Sequence, residues 1–351
     1  MLDKLSGRRA ALALYCSHQR NAGPSSASAG QGGRRDKQPA TPFRTLWRER
    51  PPFAERLPDY GANAAWFHEF DAQAYATCER HGLAPCVEFK TFRADFGEHP
   101  ELVPIGVDGQ PIRYGRLVQG ICLSQTGFVQ EAMERLAWGM SRYQPTGVWL
   151  DYMTYAGWFE TPNPDLQESC FCPGCIRTFC EASDVDATSP EEILSRHAAA
   201  WHQHKRERIA GYAAQFAAII RAARPHCLIG AYMCPWTPEE YGGALGDIFA
   251  QDYRLFAPSI DVFTPLIYAA KSGRSMDWGR RWLEGAQRFV PSDRRVQLIL
   301  DALDGPESMI ETARSPHPTW GFQLFGGAKI FADDARATVF RQTVDIIRER
   351  I

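Results

Sequence analysis

Three cysteines in C-x-C-x₂-C spacing, Cys170, Cys172 and Cys175, form the most distinctive chemical motif of the sequence. Thiolates this close together can converge on one soft metal ion, and zinc is the expected metal. The alternatives are a disulfide pair with a spare thiol, or three unrelated cysteines. The other cysteines lack the dense, even placement typical of a small disulfide-stabilised domain. The spacing therefore predicts a structural zinc site, with a fourth ligand elsewhere in the chain.

Carboxylates end or interrupt several short apolar runs that we predict as strands. Asp151 ends one such run, Asp301 ends another in the same way, and Glu88 lies within a third. A carboxylate that emerges from a buried run is desolvated, which shifts its pKa. No motif of the Ser-His-Asp or Cys-His type accompanies them. Paired carboxylates are the chemistry of glycosidic bond cleavage, so we predict Asp151, Asp301 and Glu88 as catalytic residues.

Each of these carboxylates also has a structural interpretation. For Asp151 the alternative is a helix N-cap or a salt bridge in a loop, and for Glu88 it is neutralisation by Lys90, on the same face of its strand. The histidines form no ligand motif, and we expect His68 to lie at the surface. Lys271 and Asp304 are further polar residues predicted at strand ends.

Aromatic residues crowd the same predicted loops. Sugar rings present apolar C–H faces that stack on aromatic side chains, so exposed rings beside carboxylates indicate a carbohydrate cleft. Filling of the core is the default for each aromatic residue taken alone. The predicted substrate-binding residues are Tyr152, Trp158, Trp236, Tyr268 and Gln323.

Helix-period segments alternate with β-branched or aromatic runs from residue 66 onward, which is typical of parallel strands joined by helices. The predicted helices are 69–81, 126–143, 205–223, 247–256, 277–289 and 336–350. The predicted strands are 10–16, 86–92, 117–123, 147–152, 227–234, 262–268, 296–300 and 321–325. Eight strands close an α/β, (β/α)₈ TIM-like barrel, whose chemistry lies at the C-terminal ends of its strands. An open doubly wound sheet is the alternative, but no G-x-G-x-x-G follows an early strand.

Composition limits the function further. The chain has 351 residues, 44% of them apolar, and a net charge of −2, which argues against a general nucleic-acid binder. The apolar stretch near the N-terminus is too short to span a bilayer, so we expect a soluble, cytoplasmic protein.

Residues 1–60 are basic, with eleven Lys and Arg against five Asp and Glu, and poorly patterned. We therefore predict this segment, with a tentative first strand, followed by a barrel domain over 61–351.

The run from Gly120 to Cys180, about a sixth of the chain, resembles part of the family 42 β-galactosidases and related glycosyl hydrolases. In that family a cysteine after the third strand joins a later C-x-C-x₂-C to bind structural zinc. The resemblance implies Cys122 as the fourth ligand, with Cys180 as its rival. It also implies catalytic carboxylates at the ends of the fourth and seventh strands, where Asp151 and Asp301 lie.

The chain departs from this family at one position that matters. The family has Asn-Glu where this chain has Leu150-Asp151. The missing Asn removes an expected contact to the sugar 2-hydroxyl, so β-galactosidase specificity is not implied. Other barrel hydrolases use a fourth-strand Asp as the nucleophile, which leaves the roles of Asp151 and Asp301 interchangeable.

The leading hypothesis is a glycoside hydrolase with a carbohydrate substrate and a structural zinc ion. The alternative is a catalytically inactive barrel that binds carbohydrate or acts as a scaffold. A zinc hydrolase is disfavoured because an all-cysteine site leaves no open position for water. The sequence leaves open the sugar, the anomer and the oligomeric state, a homo-oligomer included.

Overall fold

The computed structural model describes the strand 11–15, Pro58 and residues 62–112, 120–317, 319–326 and 333–350. Parallel strands pair in sequence order and curl into a closed barrel. The strands are β1 (Ala11–Tyr15), β2 (Ala62–His68), β3 (Ala84–Lys90), β4 (Gly147–Asp151), β5 (Leu228–Met233), β6 (Val262–Ile267), β7 (Arg295–Asp301) and β8 (Gly321–Phe325). β1 pairs with both β2 and β8, which closes the sheet. The predicted α/β class and first strand are confirmed, whereas the rest of segment 1–60, apart from Pro58, lies outside the described residues.

Helices follow most of the strands. They span Ala72–Arg80, Thr126–Arg142, Pro173–Ser183, Pro190–Arg196, Ala198–Ala223, Ala244–Asp247, Tyr253–Phe256, Trp278–Ala286, Gly305–Ala313 and Asp334–Arg350. The predicted helix 247–256 is therefore two short helices. In the part of the chain that the structure describes, no helix combines the length and the apolar character needed to cross a membrane.

Three of these helices were not predicted, although one carries a clear sequence signal. Ser189-Pro-Glu-Glu192 is a capping box, in which the Ser189 side chain accepts the Glu192 N–H at 3.2 Å. The Glu192 side chain accepts the Thr188 N–H at 3.2 Å in return. The sequence therefore indicated the start of the helix Pro190–Arg196.

The predicted strand 117–123 is wrong, and the second strand is β2 instead. Residues 120–123 form a loop in which the Cys122 N–H donates to the Leu102 carbonyl at 2.7 Å, and 117–119 lie outside the described residues. β2 is rich in alanine, which has little β propensity, so its sequence did not indicate a strand. Pairing with β1 and β3 determines its conformation.

Side chains along each strand point alternately into the barrel and towards the helices. The outward side chains, such as Phe89, Val148 and Leu150, are buried in the main hydrophobic core. The inward side chains of Trp66 and Trp149 lie in a second core inside the barrel. This alternation selects which polar residues at the strand ends reach the mouth of the barrel.

Trp149 fills the barrel centre because its neighbours in the sheet are glycines. A Cβ atom on Gly230 would lie 2.3 Å from the Trp149 indole, and one on Gly147 would lie 2.5 Å from it. The indole N–H donates to Thr264 Oγ1 at 2.8 Å, and its ring meets Trp66 edge-on with centroids 4.8 Å apart. The packed interior forms a floor, which confines any ligand to the C-terminal mouth.

Candidate functional site

Inward-facing residues at the C-terminal ends of β2, β3 and β4 bring four titratable groups to one side of the mouth. The strand register pairs His68 with Glu88 and Lys90 with Asp151. Because Glu88 and Lys90 are two residues apart, both face the barrel interior. The predicted proximity of Glu88 and Lys90 on one face is confirmed.

Glu88 is almost completely buried, with 3% of its side chain exposed. Its Oε1 atom lies 2.7 Å from His68 Nδ1 and 3.7 Å from Lys90 Nζ. Burial raises the pKa of Glu88 well above its usual value, and the charge of Asp151 and a hydrogen bond with it add to the rise. Burial lowers the pKa of His68 well below its usual value, helped by Lys90 and Arg93. Both shifts disfavour a charge on either group. We expected His68 at the surface, but its side chain is only 19% exposed and contacts Glu88.

Asp151 is partly buried at the end of β4. Its Oδ1 atom accepts the Tyr152 N–H at 2.9 Å, and its backbone carbonyl accepts the Thr91 N–H at 2.9 Å. Burial raises the pKa of Asp151, while Lys90, the Tyr152 amide and a hydrogen bond with Glu88 act in the opposite direction. Glu88 is therefore the proton donor in the Glu88–Asp151 hydrogen bond, and Asp151 is the acceptor.

Lys271 joins two further carboxylates on the opposite side of the mouth. Its Nζ atom lies 2.9 Å from Asp301 Oδ2 and 3.6 Å from Glu160 Oε2. The same ammonium lies over the rings of Tyr268 and Phe325, 4.2 and 4.5 Å from their centroids. Lys271 is thus fixed by two aromatic faces and shared by two carboxylates.

Asp301 and Glu160 differ in exposure and in charge environment. The Asp301 side chain is 1% exposed and the Glu160 side chain 16%. Burial raises the pKa of Glu160 to about 7; Lys271 opposes the rise, whereas the charges of Asp151 and Asp301 add to it. Glu160 therefore gains and loses its proton near neutral pH.

Tyr268 links the two sides of the mouth. Burial raises the pKa of its phenol well above the usual value. Four carboxylate charges add to this rise, those of Glu160, Asp301, Asp151 and Glu88. All four groups act on one phenol, and we call them the carboxylate cluster.

The predicted substrate-binding residues separate into two groups. Tyr152 and Trp158 are partly exposed, and Arg93 lies over the Tyr152 ring at 5.4 Å. Trp236, by contrast, is 1% exposed beneath Tyr241, whose ring centroid is 4.1 Å away.

Gln323 and Tyr268 are buried as well. The amide of Gln323 is fully buried in the barrel, 2.8 Å from both the Tyr232 hydroxyl and the Gln297 side chain. Tyr268 is 3% exposed. Gln323, like Trp236, therefore supports the mouth from below in this structure and does not line it.

Asp304, another polar residue at a predicted strand end, has a structural function. Its carboxylate accepts the N–H groups of Ala269 and Ala270 at 2.8 and 3.1 Å. These bonds hold the turn that follows β6 and leads to Lys271. Asp304 therefore positions the cluster without belonging to it.

Sequence reasoning missed Glu160 and misplaced His68. Glu160 lies in the loop after β4, nine positions beyond Asp151, and no motif or periodicity marks it. His68 ends a strand that its alanine-rich sequence did not reveal. The one available signal for Glu160 is its position among Tyr155, Trp158 and Phe159 in an aromatic loop.

The four cysteines Cys122, Cys170, Cys172 and Cys175 converge on one point. Their Sγ atoms all lie within 4.8 Å of one another, and Cys122 Sγ is 3.4 Å from Cys172 Sγ and 3.9 Å from Cys175 Sγ. Sulfurs around zinc at about 2.3 Å are about 3.8 Å apart in a tetrahedron, so the set fits this metal. All four are free thiols at these distances.

Cys180, the rival fourth ligand, lies outside this set. Its thiol donates to the Ala187 carbonyl at 3.3 Å. Cys122 therefore joins the C-x-C-x₂-C motif in the cluster, as the resemblance implied.

Ionisation of the thiols is strongly coupled. Hydrogen bonds with neighbouring thiols, that with Cys170 first, lower the pKa of Cys122 to about 7. Hydrogen bonds lower the pKa of Cys172 too, whereas the pKa values of Cys170 and Cys175 are raised. The donor set thus cannot ionise fully by itself, and a divalent cation would supply the missing positive charge.

The cysteine cluster lies beneath the loop that carries Glu160. Gly120, with φ +83°, packs against this loop so closely that a Cβ atom there would lie 2.5 Å from Ala156 N. On the other side, Phe171 stacks on Trp201 with centroids 5.0 Å apart. Metal binding at the cysteines would therefore stabilise the loop on which part of the carboxylate cluster depends.

Comparison with known proteins shows the fold. No protein-family profile and no curated protein sequence matches the chain. It is similar to the glycoside hydrolase domain of PgaB (BpsB) from Bordetella bronchiseptica, with a TM-score of 0.62 and 11% identity over 82% of this chain and 90% of that one. It is also similar to the β-galactosidase of the Antarctic haloarchaeon Halorubrum lacusprofundi, with a TM-score of 0.62 and 12% identity over 86% and 57%.

A third similar structure is a catalytic mutant of Gan42B, a GH42 β-galactosidase from G. stearothermophilus. Its TM-score is 0.58 at 12% identity, over 85% of this chain and 53% of that one. The chain thus spans little more than half the length of these two β-galactosidases. The resemblance to barrel glycoside hydrolases of the GH42 type is confirmed at the level of the fold.

Proposed function

We propose that this protein is a glycoside hydrolase that cleaves O-glycosidic bonds at the C-terminal mouth of its barrel. The observation that carries the proposal is the pair formed by Glu88 and Asp151, which the strand register places at the inner ends of β3 and β4, with Glu88 buried and Asp151 partly exposed at the mouth. Glycosidic cleavage needs a carboxylate acceptor facing the sugar. The fold similarity to a glycoside hydrolase domain and to β-galactosidases supports this reaction class.

The three predicted catalytic carboxylates take different parts in this proposal. Asp151 is the nucleophile or the general base, since it is partly exposed at the mouth and Lys90 and the Tyr152 amide favour its carboxylate form. Glu88, held between His68 and Lys90, is the buried partner of Asp151. Asp301, held by Lys271 at 2.9 Å, is a fixed negative charge that stabilises positive charge developing on the sugar ring.

A carbohydrate is the proposed substrate. Tyr152 and Trp158 provide partly exposed aromatic faces beside Asp151, suited to the apolar face of a sugar ring. Leu150, by contrast, is fully buried in the outer core and gives no polar group to the mouth. The sugar is therefore left open, with β-galactosides the first compounds to test because two of the similar structures are β-galactosidases.

We further infer that Cys122, Cys170, Cys172 and Cys175 bind one structural zinc ion. The sulfur separations and the chemistry of the donor set support this metal. Bound zinc would supply positive charge to the thiolates and cross-link the loops that contain them. With four protein ligands the ion has no position for water, so it takes no part in bond cleavage.

A panel of 4-nitrophenyl glycosides, α and β, of the common hexoses and N-acetylhexosamines tests the function. We expect release of 4-nitrophenol from at least one member between pH 5 and 8, and its loss in Asp151→Asn. The alternative, a catalytically inactive barrel that binds carbohydrate, is favoured by Leu150 in place of a polar residue. Calorimetric binding of an oligosaccharide without turnover of any glycoside would support that alternative and overturn the hydrolase.

A further inference from the structure

We propose that Glu160, in the loop between β4 and the helix Pro173–Ser183, is the proton donor to the leaving group, acting opposite Asp151. This inference rests on the proposed hydrolase function and assigns its missing acid. Neither Glu160 nor its loop carries a recognisable motif. The assignment depends on exposure, contacts and charge in the folded chain.

Exposure separates the four carboxylates of the cluster. A proton donor must touch the glycosidic oxygen, so its carboxyl has to reach the mouth. The side chains of Glu88 and Asp301 are 3% and 1% exposed, and both are engaged by His68 or Lys271. Glu160 is 16% exposed, and Asp151 is partly exposed. Asp151 and Glu160 are therefore the two carboxyl groups of the cluster best placed to contact a substrate.

Lys271 lies closer to Asp301 than to Glu160. Its ammonium is 2.9 Å from Asp301 and 3.6 Å from Glu160, so its charge acts more strongly on Asp301. Two aromatic rings fix the ammonium in this position. Glu160 thus lies near Asp151 and Asp301, while the Lys271 ammonium is closer to Asp301. Such an environment favours a bound proton.

Several charged and titratable groups face Glu160. They are Lys271 from the segment after β6, Asp301 from β7, Asp151 from β4, and the phenols of Tyr152 and Tyr268. Burial comes first among the causes that raise the pKa of Glu160 to about 7. Glu160 is therefore protonated below about pH 7 and loses its proton above it. The rate should then fall as the pH rises through neutrality, which gives a basic limb in the pH–rate profile.

In the proposed step, each bond that breaks is matched by a bond that forms. The bond between C1 and the glycosidic oxygen breaks, and its electron pair stays on the oxygen, which takes the proton of Glu160 and leaves as an alcohol. The new bond to C1 forms from an Asp151 oxygen, or from a water molecule that gives its proton to Asp151. In the first case, Glu160 then takes a proton from the water that displaces Asp151. No oxidant, reductant or other reactant is needed.

Glu160→Gln distinguishes an acid from a residue that only shapes the site. A 2,4-dinitrophenyl leaving group departs without protonation, whereas the methyl or disaccharide glycoside of the same sugar requires it. We expect kcat/KM of Glu160→Gln to fall by at least about 10²-fold on the methyl glycoside and by less than about 10-fold on the dinitrophenyl glycoside. The basic limb near pH 7 should disappear. Glu131→Gln, at an exposed helix position, is the matched control and should behave as the parent.

Equal losses of kcat/KM on both glycosides, or an unchanged basic limb, would overturn the assignment while leaving the hydrolase intact. If the parent hydrolyses no glycoside, the proposed function fails first, and this assignment fails with it. If Glu160→Gln melts well below the parent, Glu160→Asp is measured on the same two glycosides. In Glu160→Asp the carboxyl lies one methylene further back. If this variant hydrolyses the methyl glycoside as fast as the parent does, the assignment is also overturned.

Discussion

His68 Nδ1 lies 2.7 Å from Glu88 Oε1 at the mouth of the barrel. Burial drives the two pKa values in opposite directions, that of Glu88 up and that of His68 down. The pair can therefore hold a hydrogen bond without a net charge beneath Asp151. The pH dependence of folding stability follows from the directions of these two pKa shifts.

Glu88→Gln should stabilise the protein at alkaline pH. A carboxyl with a raised folded pKa stabilises the fold below its unfolded value of 4.5 and loses that contribution as pH rises towards the folded pKa. Gln keeps a polar group of the same size but never ionises. We expect the free energy of unfolding at pH 8 to rise relative to the parent, and to change little at pH 4. Urea unfolding at both pH values measures this, and a lower stability than the parent at pH 8 would contradict it.

Asp151→Asn should remove activity and leave folding nearly unchanged. Asn keeps the shape and the bond from the Tyr152 N–H but cannot act as nucleophile or base, so turnover should fall by at least about 10²-fold. Asp261→Asn is the matched control, because Asp261 accepts the Ile229 N–H at 2.8 Å and pairs with Arg221 at the opposite end of the barrel. That variant should lose about 1 kcal/mol of stability and keep its turnover. Retained turnover with a lowered melting temperature in Asp151→Asn would make Asp151 a structural residue.

Cys172→Ser should lower zinc content and melting temperature together. The Cys172 thiol lies 3.4 Å from Cys122 Sγ, and loss of one of four thiolates weakens binding and the folding free energy coupled to it. Cys180→Ser, whose parent thiol donates to the Ala187 carbonyl and lies outside the four-cysteine set, should keep its zinc. Elemental analysis of each purified variant provides the measurement. A parent protein without zinc, or full retention in Cys172→Ser, would exclude the site.

Gly230→Ala should destabilise the barrel. The added Cβ would lie 2.3 Å from the Trp149 indole, which Trp66 and Thr264 already fix. Overpacking of this kind costs about 1 to 3 kcal/mol. Gly211→Ala is the control, since nothing lies within 4 Å of its Cβ position in the helix Ala198–Ala223. That change should stabilise the protein by up to about 1 kcal/mol. Denaturant unfolding should therefore show a lower free energy of unfolding for Gly230→Ala and a higher one for Gly211→Ala than for the parent.

Local patterns in the sequence determined much of the fold and part of the site. Runs of β-branched and aromatic residues predicted most strands, and placed Asp151 and Asp301 at strand ends and Glu88 within a strand. The C-x-C-x₂-C spacing brought three thiols together. These properties were readable because each depends on residues within a few positions of one another.

Tertiary structure alone decided the other features. The alanine-rich strand Ala62–His68 exists because neighbouring strands bond to it, and its recognition moves His68 from the surface to the Glu88 carboxyl. The meeting of Glu160 with Lys271, 111 positions further along the chain, depends on the paths of two loops. Loop paths are set by packing against distant segments, which no local periodicity encodes. The order of the strands therefore follows from sequence pattern, whereas the partners of the catalytic carboxyls follow from long-range packing.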